Sequence, residues 1–243
     1  MLPTPPTPKQ GFDACAAPSS TTMNTWWDAS PFSSVGIYIG GANRGCSQPN
    51  LTKTWVSTVI TQGWNLLPIW VGPQASCTSL SGTTKLAEDI ATAQNQGVIE
   101  ATAAANAADA LGFTWLAPVY YDMEAYPRGG ACSASVQSFT SGWIATLHSR
   151  GYLAGFYSSL CSGILDQAAT YADPAYRLDT VWIAAWNDTP NIFGFNSSCA
   201  LSDSLWANHQ RVHQFKGGHD EAWGGITINV DSNAVDGTTY PNS

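Results

Sequence analysis

Short runs of apolar, β-branched and aromatic residues recur along this 243-residue chain, most of them separated by stretches of helical character. Eight runs stand out: Gly11–Cys15, Val35–Gly40, Trp64–Val71, Pro118–Glu124, Tyr152–Ser158, Thr180–Trp186, Arg211–Phe215 and Ile226–Asp231. Between them, Leu51–Gln62 and Ser133–Arg150 carry apolar residues at helical spacing. Thr83–Leu111 is long and Ala-rich, and Gly97 is expected to break that helix. The segment WNLLPIW (residues 64–70) is apolar almost throughout, as a strand covered on both faces by helices must be. Eight strands alternating with helices predict an α/β fold, a single (β/α)8 TIM-type barrel, regular or irregular, over residues 11–243. The usual size of such a barrel, about 250 residues, agrees. An open doubly wound sheet is the competing arrangement, but no Gly-x-Gly-x-x-Gly follows the first strand and no phosphate-binding loop occurs. Residues 1–10 carry Pro3, Pro5, Pro6 and Pro8 and are expected to form an extended, poorly ordered tail outside the fold.

Charge narrows the partners. Nine basic residues stand against seventeen acidic ones, with no basic run, the opposite of what a phosphate backbone selects, so nucleic acid is not expected as a partner. Charged residues make up only 11%, and a surface rich in Ser, Thr, Asn and Gln suits uncharged ligands such as sugars. No apolar run approaches the roughly 20 residues needed to cross a bilayer, so no membrane span is expected. Six cysteines, Cys15, Cys46, Cys77, Cys132, Cys161 and Cys199, contain no Cys-x-x-Cys motif and predict disulfides in an oxidising compartment. The sequence does not choose their connectivity. An extracellular, secreted protein is therefore expected, its signal removed ahead of this chain and Met1 an artificial start. Each cysteine falls at or just after the end of one of the first six runs, which places the bridges on loops of the carboxyl face, where barrels carry function.

The sharpest chemical signal is YYDMEAY, residues 120–126. Strand side chains alternate, so Asp122 and Glu124 point to one side, about 7 Å apart along the backbone, while Met123 faces the other. Like charges this close in a partly dry mouth disfavour joint ionisation, leaving an acid beside a base. Glycosidic cleavage needs such a pair: a proton donor for the leaving oxygen and an anion near the developing sugar cation. Asp13 ends the first run and Asp231 the eighth, which are neighbours in a closed barrel, so four carboxyls are expected to share one mouth. Tyr38, Trp70, Tyr120, Tyr126, Tyr157, Trp186 and Phe215 lie near strand ends, where flat rings stack on sugars or pack the core. His209 and His213 are four apart, but the segment reads as strand and no third ligand accompanies them. Asp231, Asn233 and Asp236 lack the spacing of a calcium loop. No metal or other cofactor is expected. A Gly-x-Ser-x-Gly elbow is missing and the cysteines read as paired, so a serine or thiol nucleophile has no support.

GFDAC, VGIYIGGANRGCSQPNLT, GWNLLPIWVGPQASC, VYYDMEAY and VDSNAVDG, spanning Gly11 to about Gly237, together resemble domain-of-unknown-function family 1906 (DUF1906), a glycoside-hydrolase-like family. The layout is similar to that of the family 25 lysozymes, whose barrels carry an early aspartate, an Asp-x-Glu on the fourth strand and a final aspartate; Asp13, Asp122, Glu124 and Asp231 match those positions. The resemblance implies a glycoside hydrolase acting on cell-wall polysaccharide, with peptidoglycan a candidate. Glu124 would be the general acid, Asp122 would orient an acetamido group or stabilise the cation, and Asp13 and Asp231 would support them. The alternative is a non-catalytic barrel that binds wall glycan or a protein through the same acidic mouth. A monomer is expected.

Overall fold

In the computed structural model, which describes residues 8–196 and 198–241, eight strands close into a barrel in chain order. They are β1 (Lys9–Asp13), β2 (Phe32–Gly40), β3 (Asn65–Trp70), β4 (Pro118–Asp122), β5 (Leu153–Ser159), β6 (Thr180–Ala184), β7 (Arg211–Trp223) and β8 (Ile226–Val235). The first seven run parallel; β8 is antiparallel to both β7 and β1. Each of the eight apolar runs overlaps one strand, and the barrel they predict forms with one strand reversed. Five α-helices alternate with the first six strands: α1 (Ser20–Ala29), α2 (Lys53–Gln62), α3 (Ile90–Leu111), α4 (Gly130–Ser149) and α5 (Leu165–Ala169), the last entered through a π turn at Leu160–Ile164. No apolar pattern marks α1, which buries only Met23 and Trp26 and starts where Ser19 accepts from the Thr22 N–H.

The barrel loses its helices after β6. An irregular segment, described over residues 185–196 and 198–210, leads to β7, and the fully buried Arg211 pins it by donating to the carbonyls of Ile192, Ser202 and Leu205. A tight turn at Gly224–Gly225, both at positive φ, joins β7 to β8. Register shifts between Gln214 and His219 bend this hairpin, whose far end packs on α1: the Trp26 indole donates to the Ile226 carbonyl at 3.2 Å. The tail expected over residues 1–10 is shorter than that. Lys9 and Gln10 open β1 and pair with Val235 and Ala234, because the reversed β8 offers them a ladder; residues 1–7 lie outside the described residues.

Alternation along the strands builds two apolar layers. Outward residues such as Phe12, Trp64 and Tyr121 pack beneath the helices on Trp26, Phe32, Phe139 and Trp143. Inward residues Leu67, Ile69, Val71, Tyr120, Trp182, Val212 and Val235 fill the lumen. The three disulfides, Cys15–Cys46, Cys77–Cys132 and Cys161–Cys199, join the segments that follow consecutive strands, but not only through loops as expected: Cys132 lies in the first turn of α4 and Cys161 in the π turn.

Gly97 does not break its helix. α3 runs unbroken from Ile90, capped by Asp89, so the expected helix loses only residues 83–89 to a loop. A Cβ at Gly97 would lie 2.1 Å from the Phe139 carbonyl oxygen, and one at Gly142 would lie 2.2 Å from that of Gln94. The two glycines let α3 and α4 touch backbone to backbone. Gly97→Ala and Gly142→Ala are each expected to cost about 1–3 kcal/mol through overpacking, lowering the thermal midpoint by several degrees. Gly45→Ala, whose Cβ would meet nothing, should leave it unchanged; calorimetry on the three variants checks this.

Candidate active site

Closure of the barrel sets Asp13, at the end of β1, directly across from Asp231 of β8. Asp231 does not end its strand, contrary to the sequence reading. Because β8 is reversed, it enters the barrel at the mouth, and Asp231 lies mid-strand at the level where the ladder with β1 begins. Asp122 ends β4, and Glu124 follows two residues on. All four acids line one hollow of about 290 Å³, together with Tyr38, Asn43 and Asn229. Asp13 and Asp122 are buried, at 2% and 6% exposure, whereas Glu124 is open to solvent. Glu124 also lines a second, larger hollow of about 540 Å³ walled by Tyr157, Leu160, Trp186 and Phe195. Its carboxyl therefore stands where the two meet.

Hydrogen bonds fix the acids. Asp13 accepts from the Tyr38 hydroxyl at 3.2 Å, from Asn233 Nδ2 at 2.8 Å and from Gln214 Nε2 at 3.3 Å; the same Gln214 nitrogen reaches Asp231 Oδ2 at 3.3 Å. Gln74 clamps the end of β4, donating to the Asp122 carbonyl and accepting from the Glu124 N–H, each at 2.8 Å. Asp122 Oδ1 has no hydrogen-bond partner among the described residues. The residues lining the two hollows include no Lys or Arg.

The acids consequently hold protons above the usual carboxylate range, Asp13 and Asp122 most of all. Burial, then the charge of Asp231, raises Asp13 to about 7, against the donors from Asn233, Gln214 and Tyr38. Asp122 is pushed well up by burial, then by Glu124 and Asp13. Glu124 rises because its surroundings are partly desolvated and because Asp231 is near. Asp231 rises through burial, opposed by the Gly218 N–H, a hydrogen bond with Asp13 and the charge of His219. Four carboxyls without a lining cation titrate as a coupled set, so acid and anion coexist near neutrality.

The aromatic candidates divide. Tyr38 and Tyr157 stand at the mouth, and Trp186 is 69% exposed in the larger hollow. Trp70, Tyr120 and Tyr126 line neither. Trp70 is one residue out of phase with inward Ile69, so its indole turns to α3 and donates to Glu100 at 2.6 Å. Tyr120 is inward but one pleat below Asp122, where its hydroxyl donates to the Thr238 carbonyl. Tyr126 donates to the buried Asp166. Phe215 lies beside His213, whose ring sits between the carbonyls of Ala185 and Asn191; His209 instead contacts Asp236. Gln74, Gln214, Asn233 and Phe195 escape sequence reasoning. Two of them left a signal: Asn233 is two residues after Asp231 on the same strand face, and Gln214 follows outward His213. Gln74 and Phe195 come from segments without period.

A family model described as "Rv2525c-like, glycoside hydrolase-like domain" matches residues 24–235. Among solved structures, the Mycobacterium tuberculosis Tat-secreted protein Rv2525c, in complex with L-tartrate, superposes with a TM-score of 0.63 at 13% identity, over 93% of this chain and 95% of that one. The Clostridium perfringens spore cortex lytic enzyme SleM gives 0.62 at 13%, over 96% and 68%. The modular Cpl-1 endolysin complexed with a peptidoglycan analogue gives 0.51 at 16%, over 95% and 55%. At these identities the likeness is one of fold. No curated protein matches by sequence.

The raised acids link stability to pH. Asp13 binds its proton more tightly folded than unfolded, so its contribution is full below about pH 4 and is lost as pH rises through about 7. The loss amounts to about 4 kcal/mol at most. The other three acids act in the same sense. The thermal midpoint should fall from pH 5 to pH 8, and Asp13→Asn, which keeps an acceptor for Asn233, should flatten that slope. A slope unchanged in the variant would contradict the protonated Asp13.

Proposed function

The chain belongs to the Rv2525c-like, glycoside hydrolase-like domain family, and from that premise we propose that it is a secreted glycoside hydrolase acting on cell-wall polysaccharide, with peptidoglycan the first candidate. The observation that carries the reading is the position of Glu124, a carboxyl of raised proton affinity at the junction of an acidic hollow and an aromatic trough. A glycan lying across both would present a glycosidic oxygen at that junction. Glu124 donates its proton to this oxygen as the bond breaks. The leaving portion rests in the trough, against Trp186 and Phe195. Positive charge then develops on the sugar in the smaller hollow, beside the carboxylate of the Asp13–Asp231 pair, and a water molecule adds to that carbon, its proton passing to a carboxylate of the site, which completes the hydrolysis. Asp122 Oδ1 is available to accept from an N–H or hydroxyl of that sugar, as the Asp-x-Glu resemblance implies. The site needs no cofactor for these steps.

Substrate class and location draw on different support. A spore cortex lytic enzyme and an endolysin bound to a peptidoglycan analogue share the barrel, which favours wall glycan. Three disulfides and the fold of a Tat-secreted protein favour an extracellular place.

The test incubates the protein and Glu124→Gln with purified peptidoglycan and other wall glycans and counts new reducing ends. Loss of the acid is expected to lower release about 10²–10⁴-fold. Equal release by both proteins would exclude Glu124 as the acid, and binding without release by either would favour the glycan-binding barrel. In the wild type, release should decline on the alkaline side as Glu124 loses its proton, at a pH above the ordinary glutamate range.

A further inference from the structure

One buried amide connects the aromatic trough to the acid pair. Gln214 of β7 is 2% exposed and uses both ends of its side chain. Its Oε1 accepts from the Trp186 indole N–H and from the Tyr157 hydroxyl, each at 3.0 Å. Its Nε2 faces Asp13 Oδ2 and Asp231 Oδ2, each at 3.3 Å. An indole nitrogen can only donate, so the amide oxygen must turn toward it, and the amide nitrogen is left facing the two carboxyls. Trp186 is itself held in place, because its ring rests so close to Gly217 that a Cβ there would lie 2.6 Å from it.

We propose that Gln214 is a positioning residue: oriented by Trp186 and Tyr157, its amide donates to Asp13 and Asp231 together and holds them as one acid–carboxylate pair beneath the sugar hollow. Cross-strand pairing puts these two carboxyls on the same face with nothing between their strands, so a donor shared by both helps them stand together alongside their own hydrogen bond. The groups around the pair come from five strands. Tyr38 of β2 and Asn233 of β8 also donate to Asp13; Asp122 and Glu124 approach from β4 and Tyr157 from β5; His219, on the β7 arm of the hairpin, contributes positive charge toward Asp231. Removing Gln214 deletes a donor that favours the anion, so the pair grips its proton more tightly. Trp186 is the exposed member of this relay. A sugar stacked on the indole presses on the ring that orients the amide, which ties filling of the trough to the acid pair. The benefit to catalysis rests on the hydrolase reading; the holding of the pair is a property of the protein alone.

The experiment follows the side-chain carboxyl resonances of Asp13 and Asp231 by NMR against pH, in the full chain without substrate. Gln214→Met, similar in shape but unable to hydrogen-bond in this way, should move the upper midpoint of the pair upward by about one pH unit. Trp186→Phe keeps an aromatic ring but loses the N–H, and should move it in the same direction by less. This second variant alters only a surface ring, so it decides the matter if Gln214→Met does not fold. Midpoints unchanged in the variants would overturn the proposal, because a purely structural glutamine would lower stability without moving a titration. Failure of the wild type to release sugar from any glycan would sink the hydrolase reading and leave these midpoints untouched.

Discussion

The seam between β1 and β8 is the constraint on which the site depends. It joins the two ends of the chain, and its antiparallel register sets Asp13 opposite Asp231. Like charges directly across a ladder repel, so the seam is more stable when one carboxyl keeps its proton and donors such as Asn233 and Gln214 satisfy the other. Structure and chemistry are therefore the same requirement here: the protonation that stabilises the seam also leaves an acid and an anion side by side at the barrel's mouth.

The reversal of β8 has effects beyond the seam. A parallel eighth strand would need a crossover helix, and its carboxyl end would bring Val235 to the mouth in place of Asp231. A hairpin substitutes for that crossover, anchored on α1 through Trp26. It carries Gly218 and His219, both of which act on Asp231. The segment between β6 and β7, without helix among its described residues, supplies Trp186 and Phe195 to the larger hollow. The two irregular units thus furnish much of the wall and Asp231, while β1 and β4 furnish Asp13 and Asp122, with Glu124 two residues beyond β4.

Much of this was legible in the residues. The eight apolar runs located all eight strands, since burial on both faces leaves an unbroken signature. Asp122 and Glu124 do line one hollow, although β4 ends at Asp122 and alternation therefore does not reach Glu124, and closure brought Asp13 to Asp231. Strand direction was not legible. Ile226–Asp231 reads alike in either sense, and its polarity is set by a two-glycine turn and by register with β1, both long-range outcomes. Gly97 misled because a glycine in a helix interior carries a propensity cost whatever its purpose, and only the partner helix reveals that close approach repays it. Trp70, Tyr120 and Tyr126 looked like sugar platforms because position near a strand end does not specify depth or phase. Gln74 lay hidden in a loop without period.

The cysteine pairing has a consequence for how the barrel comes apart and together. Each bridge staples segments that are neighbours in sequence, at separations of 31, 55 and 38 residues, and all three lie within Cys15–Cys199. None reaches the terminal hairpin. The contact between Asn233 and Asp13, 220 residues apart, is thus zipped by noncovalent forces alone. Because all three bridges fall inside the loop that this contact closes, oxidation shortens the chain path between the two residues and so lowers the entropic cost of closing the clasp, although no bridge crosses it.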